Sequence, residues 1–136
     1  MQGRAELTAT VRVVVADDDE DMRVLMRSML GLDPRIHIVG EASDGDEALA
    51  RFDELRPDVL VLDERMPGLR GLEVAERVLA AHPEQVIILC TAFVDRTMQA
   101  TAGELGVRRV LGKSDVDQLG AEILRLAVPS PEDGTP

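Results

Sequence analysis

Five short apolar runs recur along this chain, and stretches with helical spacing separate them; that alternation leaves few folds open. The runs cover residues 11–16, 36–40, 59–62, 86–90 and 107–111. The third and fourth are almost wholly Val, Ile and Leu, and the first is apolar apart from Arg12, as expected of strands buried on both faces. Between the runs, apolar side chains recur three or four positions apart. Met22, Leu25, Met26, Met29 and Leu30 make one such stripe, and Leu72, Ala75, Val78 and Leu79 make another. The spacing predicts helices over 22–30, 46–55, 72–81 and 96–105. A last helix is predicted to open on Ser114 and Asp117 as a capping pair, with Val116, Leu119, Ile123 and Leu124 inward. Gly31, Arg56-Pro57, His82-Pro83 and Gly106 are the stop signals. Alternation with apolar strands predicts an α/β fold: a doubly wound, five-stranded parallel sheet with helices on both faces.

A chain of 136 residues holds one such domain, and 45% apolar content can fill its core. Residues 1–10 read as a flexible lead-in, 11–127 as the domain, and the Pro-rich 128–136 as a linker-like tail. That tail suits either a natural terminus or the start of a linker to a further domain. Lys and Arg number 15 against 26 Asp and Glu, a formal net charge of −11. Such a polyanion repels phosphate backbones, and a chain without Trp or Tyr offers no base-stacking platform, so direct nucleic-acid binding is not expected. The single cysteine, Cys90, excludes an internal disulfide and reads as a small buried filler. No apolar run approaches the roughly 18 residues of a membrane span, and 1–10 carries no secretory pattern. A soluble cytoplasmic domain without membrane contact is expected.

In open α/β sheets the chemistry gathers beyond the carboxyl ends of the strands. Here those ends carry Asp17 and Asp18 after the first run, Asp63 after the third, Thr91 after the fourth and Lys113 after the fifth. Two unit charges 4 Å apart repel by about 4 kcal/mol at an effective dielectric near 20. Clustered Asp17, Asp18 and Asp63 therefore call for a cation or a proton. Hard oxygen ligands beside a lysine suit Mg²⁺ sharing its shell with a phosphate, and a carboxylate is a competent phosphoryl acceptor. The residues point to a phosphate-handling site with an aspartate nucleophile. Asp19, Glu20 and Asp21 read as helix-opening acids only.

These pieces resemble the receiver domain of bacterial response regulators, from Val11 to about Ala127. The likeness rests on Val13-Val14-Val15-Ala16-Asp17-Asp18, on Leu60-Val61-Leu62-Asp63 with Met66-Pro67-Gly68 and Gly71, on Leu89-Cys90-Thr91-Ala92, and on Lys113. The middle stretch from Ile38 to Leu49 resembles the subclass whose output is a helix-turn-helix DNA-binding domain. The resemblance implies a flavodoxin-like strand order 2-1-3-4-5 and a phosphorylation-dependent switch. Asp63 would take a phosphoryl group from a sensor histidine kinase or phosphotransfer protein. Asp18 would hold Mg²⁺ directly and Asp17 directly or through water, with Asp63 and the Arg65 backbone carbonyl completing the protein's share. Lys113 would bridge Asp63 and the phosphoryl group, Thr91 would swing onto it, and Ala92 and Glu64 would support it. Such a chain promotes its own phosphorylation but is not a turnover enzyme. DNA would be a partner only through a separate output domain, and self-association through a small polar fourth helix is expected to be weak.

Three departures matter. Ser114 follows Lys113 where the family usually has a cis proline, and a non-proline cis bond costs about 2.5–4 kcal/mol, so either a trans loop or a differently placed lysine is expected. Val110 replaces the usual aromatic switch residue, and Arg70 stands where an acid often precedes the glycine. Arg65 and Phe93, two positions past Asp63 and Thr91, are expected to tune the phosphoryl lifetime. Two rival readings remain. One is a degenerate receiver that binds partners without phosphate, which Ser114 and Val110 would suit. The other is a Mg²⁺-dependent aspartate phosphatase built on Asp17-x-Asp19, which leaves Asp63 unexplained and needs Thr or Val where Asp21 stands.

Overall fold

The computed structural model describes residues 10–127. Apart from Thr10, the expected lead-in and the 128–136 tail lie outside the described residues. Strands β1 (Val11–Ala16), β2 (Ile36–Ala42), β3 (Val59–Leu62), β4 (Val86–Thr91) and β5 (Arg109–Gly112) alternate with helices α1 (Glu20–Leu30), α2 (Gly45–Leu55), α3 (Gly71–Ala81), α4 (Arg96–Leu105) and α5 (Leu119–Ala127). The sheet runs β2-β1-β3-β4-β5 and all its strand pairs are parallel. The predicted class and order are therefore observed.

The continuous apolar runs now have a cause. Successive side chains of a strand point to opposite faces. Val14, Ala16, Leu60, Leu62, Ile87 and Leu89 feed the core under α2, α3 and α4. Val13, Val15, Val59, Val61, Ile88 and Cys90 feed the core under α1 and α5. A polar residue at any of these positions would lie in one core or the other. The central strands therefore cannot alternate polar and apolar, and the first polar residue after each run falls at the sheet rim.

The helices follow their signals with local corrections. Asp19 caps α1, its side chain accepting from the Asp21 N–H, and Asp44 and Asp95 cap α2 and α4 in the same way. Arg56 ends α2 in the left-handed region at φ 45°, ahead of Pro57. On α1, Met26 and Leu30 are buried, but Leu25 is 41% exposed because it falls at the edge of the stripe. β2 runs past the predicted Gly40 to Ala42, since the charge of Glu41 is matched by Arg23 and Arg27. β5 begins at Arg109 rather than Val107. The Val107 N–H is taken by the Ala102 carbonyl at 2.9 Å, closing α4. The predicted Ser114–Asp117 capping pair does not form. Lys113–Gln118 is instead a 3-10 turn without a side-chain cap, and α5 starts at Leu119. Leu119 and Ile123 are buried as predicted.

Candidate functional site

The strand order reverses between β1 and β3, and the crevice at their carboxyl ends is where a doubly wound sheet takes ligands. Each aspartate there extends the ladder by one residue. The Asp17 N–H donates to the Ala42 carbonyl at 3.0 Å, and the Asp63 N–H donates to the Ala16 carbonyl at 2.9 Å. Both carboxylates thus leave the sheet edge from fixed backbone. Asp17, Asp63 and Thr91 are the buried polar residues among those described. Gly71 closes the rear of the site. A Cβ there would stand 2.3 Å from the Asp63 carbonyl oxygen, so α3 approaches the aspartate as only glycine allows.

Carboxylate oxygens of Asp17, Asp18 and Asp63 all lie within 4.8 Å of one another. Lys113, carried on the turn after β5, reaches into this cluster. Its Nζ donates to Asp63 Oδ2 at 3.1 Å and lies 2.8 Å from Asp17 Oδ2. The latter contact lacks hydrogen-bond alignment, so the buried Asp17 Oδ2 has charge compensation but no donor of its own. Burial raises the Asp17 pKa, helped by the neighbouring charge of Asp63 and opposed by Lys113 and the Asp19 N–H. Burial alone would lower that of Lys113. The attraction of the two carboxylates, Asp17 and Asp63, outweighs it and the Lys113 pKa is raised. Three oxygen donors, one of them buried and unpartnered, form a set that fits a hard divalent cation.

The remaining predicted residues lie at the same rim with different engagements. Thr91 ends β4 beside Gly112 of β5 and is buried, and Ala92 follows it at the exposed surface. The Lys113–Ser114 peptide is trans, as is every peptide among the described residues, and the lysine still reaches its acids. Glu64, expected beside the phosphoryl group, has its side chain elsewhere. Its Oε1 accepts from the Leu72 N–H at 2.8 Å, where an α3 amide needs an acceptor, and burial raises its pKa. Arg65 stacks its guanidinium over the ring of Phe93, 5.7 Å from the centroid, and Phe93 is 70% exposed. Asp18, Glu64, Arg65, Met66, Pro67, Arg70 and Met98 line an open groove of about 540 Å³ beside the acids. A similar groove among Pro57, Asp58, His82 and Gln85 sits at the other end of the strands, away from every predicted site residue. One engagement was not legible in the sequence: Arg23 of α1 donates to the Asp17 backbone carbonyl at 2.7 Å. Nothing in the spacing of Arg23 marks it off from other polar positions of an amphipathic helix.

A family model described as the response regulator receiver domain matches residues 13–124, and the chain belongs to that family. It is a receiver domain of two-component response regulators, a phosphorylation-dependent signalling module. A protein-glutamate methylesterase/protein-glutamine glutaminase 1 from Rhizobium johnstonii is 38% identical over 109 residues, which are 79% of this chain and 31% of that protein. The chain thus spans about a third of the length of that relative. The receiver domain of the putative response regulator NarL from Mycobacterium tuberculosis is 32% identical, with a TM-score of 0.84 over 90% of this chain and 99% of that one. The response regulator domain of Thermotoga maritima CheB is 25% identical, with a TM-score of 0.81 over the same shares. No helix among the described residues is long and apolar enough to cross a membrane.

Proposed function

We propose that Asp63 is the phosphoacceptor and that Asp17, Asp18, Asp63 and the Arg65 backbone carbonyl hold Mg²⁺. The observation that carries this reading is the convergence of Asp63 with Asp17, Asp18 and the Lys113 ammonium at one rim. A carboxylate oxygen of Asp63 attacks phosphorus, and the P–N bond of a phosphohistidine on a sensor kinase or phosphotransfer protein breaks, its electron pair leaving with the imidazole. When bound, Mg²⁺ supplies positive charge against the transferring oxygens. Lys113 supplies a second cation and keeps Asp63 aimed. The Thr91 hydroxyl and the Ala92 N–H receive the phosphoryl oxygens, and Glu64 acts at one remove by holding the start of α3. The added charge of about −1.5 to −2 then draws the β4–α4 loop toward the site.

In this reading the chain is not a turnover enzyme, works in the cytoplasm and controls an output domain or partner. Its Ile38–Leu49 likeness and the NarL receiver support a helix-turn-helix output acting on DNA, with this domain making no direct nucleic-acid contact and self-associating weakly. The methylesterase relative favours a second output, an attached esterase. The coding frame beyond residue 136 discriminates the two. The site itself is tested by acetyl phosphate with Mg²⁺ and intact mass. Wild type gains one phosphoryl group and Asp63→Asn gains none; an equal gain in both removes Asp63 as acceptor. A wild type inert to acetyl phosphate and to beryllofluoride with Mg²⁺ would instead be a degenerate, phosphate-independent module. Repeated turnover of p-nitrophenyl phosphate would revive the phosphatase reading.

A further inference from the structure

Asp17 is held at almost every polar atom. Its N–H is on the Ala42 carbonyl, and its Oδ1 accepts from the Asp19 N–H at 2.9 Å. Its carbonyl accepts from Arg23 Nη1 at 2.7 Å. Only Oδ2 is left for the pocket, where Lys113 meets it. Arg23 is itself clamped. Its Nε donates to Glu41 Oε1 at 3.2 Å, and its side chain is only 17% exposed. Glu41 lies on β2 opposite Val15, and its other oxygen accepts from Arg27 Nη1 at 2.7 Å. The planar fork of an arginine can serve a carboxylate and a carbonyl at once, which an ammonium does less well.

We infer that Arg23, oriented by Glu41, is a positioning residue that locks the Asp17–Asp18 peptide from behind and so aims both carboxylates into the acidic pocket. The inference rests on the metal reading for its functional meaning, but the lock is a property of the backbone alone. Asp18 joins the pocket through the peptide whose carbonyl Arg23 holds, so freedom in that plane moves both metal-facing acids together. Arg27 provides the natural control. It shares Glu41 and is more exposed, but it makes no hydrogen bond to Asp17 itself.

The experiment uses the whole chain as wild type, Arg23→Ala, Arg23→Lys and Arg27→Ala. Amide hydrogen exchange is read first without metal, and Mg²⁺ is then titrated against amide chemical shifts. In Arg23→Ala the Asp19 amide exchanges faster, and Mg²⁺ binding weakens about tenfold, the scale seen when a ligand loses its outer support. Arg27→Ala leaves both within about twofold, although it too breaks a Glu41 pair. Arg23→Lys recovers part of the loss, because an ammonium can still reach a carbonyl. Equal effects of Arg23→Ala and Arg27→Ala on either readout would overturn the inference, as would no effect of Arg23→Ala. If wild type takes up no Mg²⁺, the metal reading falls by itself, and the lock is judged on Asp19 exchange alone.

Discussion

The ammonium of Lys113 donates to Asp63 Oδ2 at 3.1 Å although fifty positions separate the two residues. The same nitrogen stands 2.8 Å from Asp17 Oδ2, so a single cation compensates two buried carboxylates. Its removal leaves both buried acids facing each other without a compensating charge. Lys113→Met is expected to lose about 1–3 kcal/mol of stability at neutral pH without added metal, the range for breaking a largely buried, charge-assisted contact. Millimolar Mg²⁺ should shrink that deficit, because it replaces the missing charge. The Lys113 pKa is raised in the fold. Its contribution is therefore complete below the ordinary lysine value of 10.5 and fades as pH rises through the raised one. Urea unfolding with and without Mg²⁺, repeated at pH 7 and 9, checks this: both values lie below 10.5, so the deficit should be the same at the two. A variant as stable as wild type throughout would show that the ammonium compensates nothing.

Gly71 and Asp63 are coupled by contact rather than charge. A methyl group at 71 would meet the Asp63 carbonyl oxygen at 2.3 Å, its carbon at 2.9 Å and Leu89 Cδ1 at 3.0 Å. None of these is the free end of a long side chain, so the backbone carrying the aspartate must shift. Gly71→Ala is expected to cost about 1–3 kcal/mol, as over-packing of a core does. It should also slow phosphorylation by acetyl phosphate. The second effect separates a displaced aspartate from simple loss of stability, and is read under conditions where the variant is still fully folded. Wild-type phosphorylation kinetics in the variant would mean that the chain around 63 yields without moving the carboxylate.

The fold was legible in the sequence because the physics of a two-sided sheet keeps β1, β3 and β4 apolar up to the rim, with Arg12 near the start of β1 the one charged exception. For the same reason Asp17, Asp63 and Thr91 stood out: each is the first polar residue after such a run. What escaped the sequence depends on contacts that spacing does not encode. The apolar run of β2 stops at Gly40, and nothing in its spacing shows that Glu41 stays on the strand, neutralised by Arg23 and Arg27 from α1. Ser114 and Asp117 have the spacing of a capping pair, yet the chain must first turn sharply to bring Lys113 under the sheet rim, and the 3-10 turn takes those residues. Glu64 carries no sequence sign that an α3 amide would claim its side chain.

Arg65 and Phe93 come from different loops and meet at the mouth of the pocket, with the guanidinium 5.7 Å from the ring centroid. A stacked pair at an exposed site is worth about 0.5–1 kcal/mol, a factor of roughly two to five in a rate it controls. If the pair shields the aspartyl phosphate from water, Phe93→Ala shortens its lifetime by about that factor, and Arg65→Ala does the same. The double variant should then be no worse than either single one, because each change already breaks the contact. Lifetimes are followed by intact mass after removal of the phosphodonor. Unchanged lifetimes in all three variants would leave the contact with no part in hydrolysis.

Cys90 lies one residue before Thr91 with no exposed surface, in the core under α1 and α5. Burial pushes its thiol up to about 11, with Lys113 pulling the other way and the acids of the pocket adding to the rise. The reactive thiolate is therefore scarce at neutral pH and shut off from reagent. The native protein at pH 8 is expected to resist a soluble disulfide reagent, and the same protein in urea should react at once. Because Cys90 sits in the central sheet, its slow native labelling should follow global opening. Lys113→Met would then speed labelling in proportion to its loss of stability. Rapid labelling of the folded wild type would mean that β4 opens locally beside the site, and that the Thr91 strand end is not the rigid rim its burial describes.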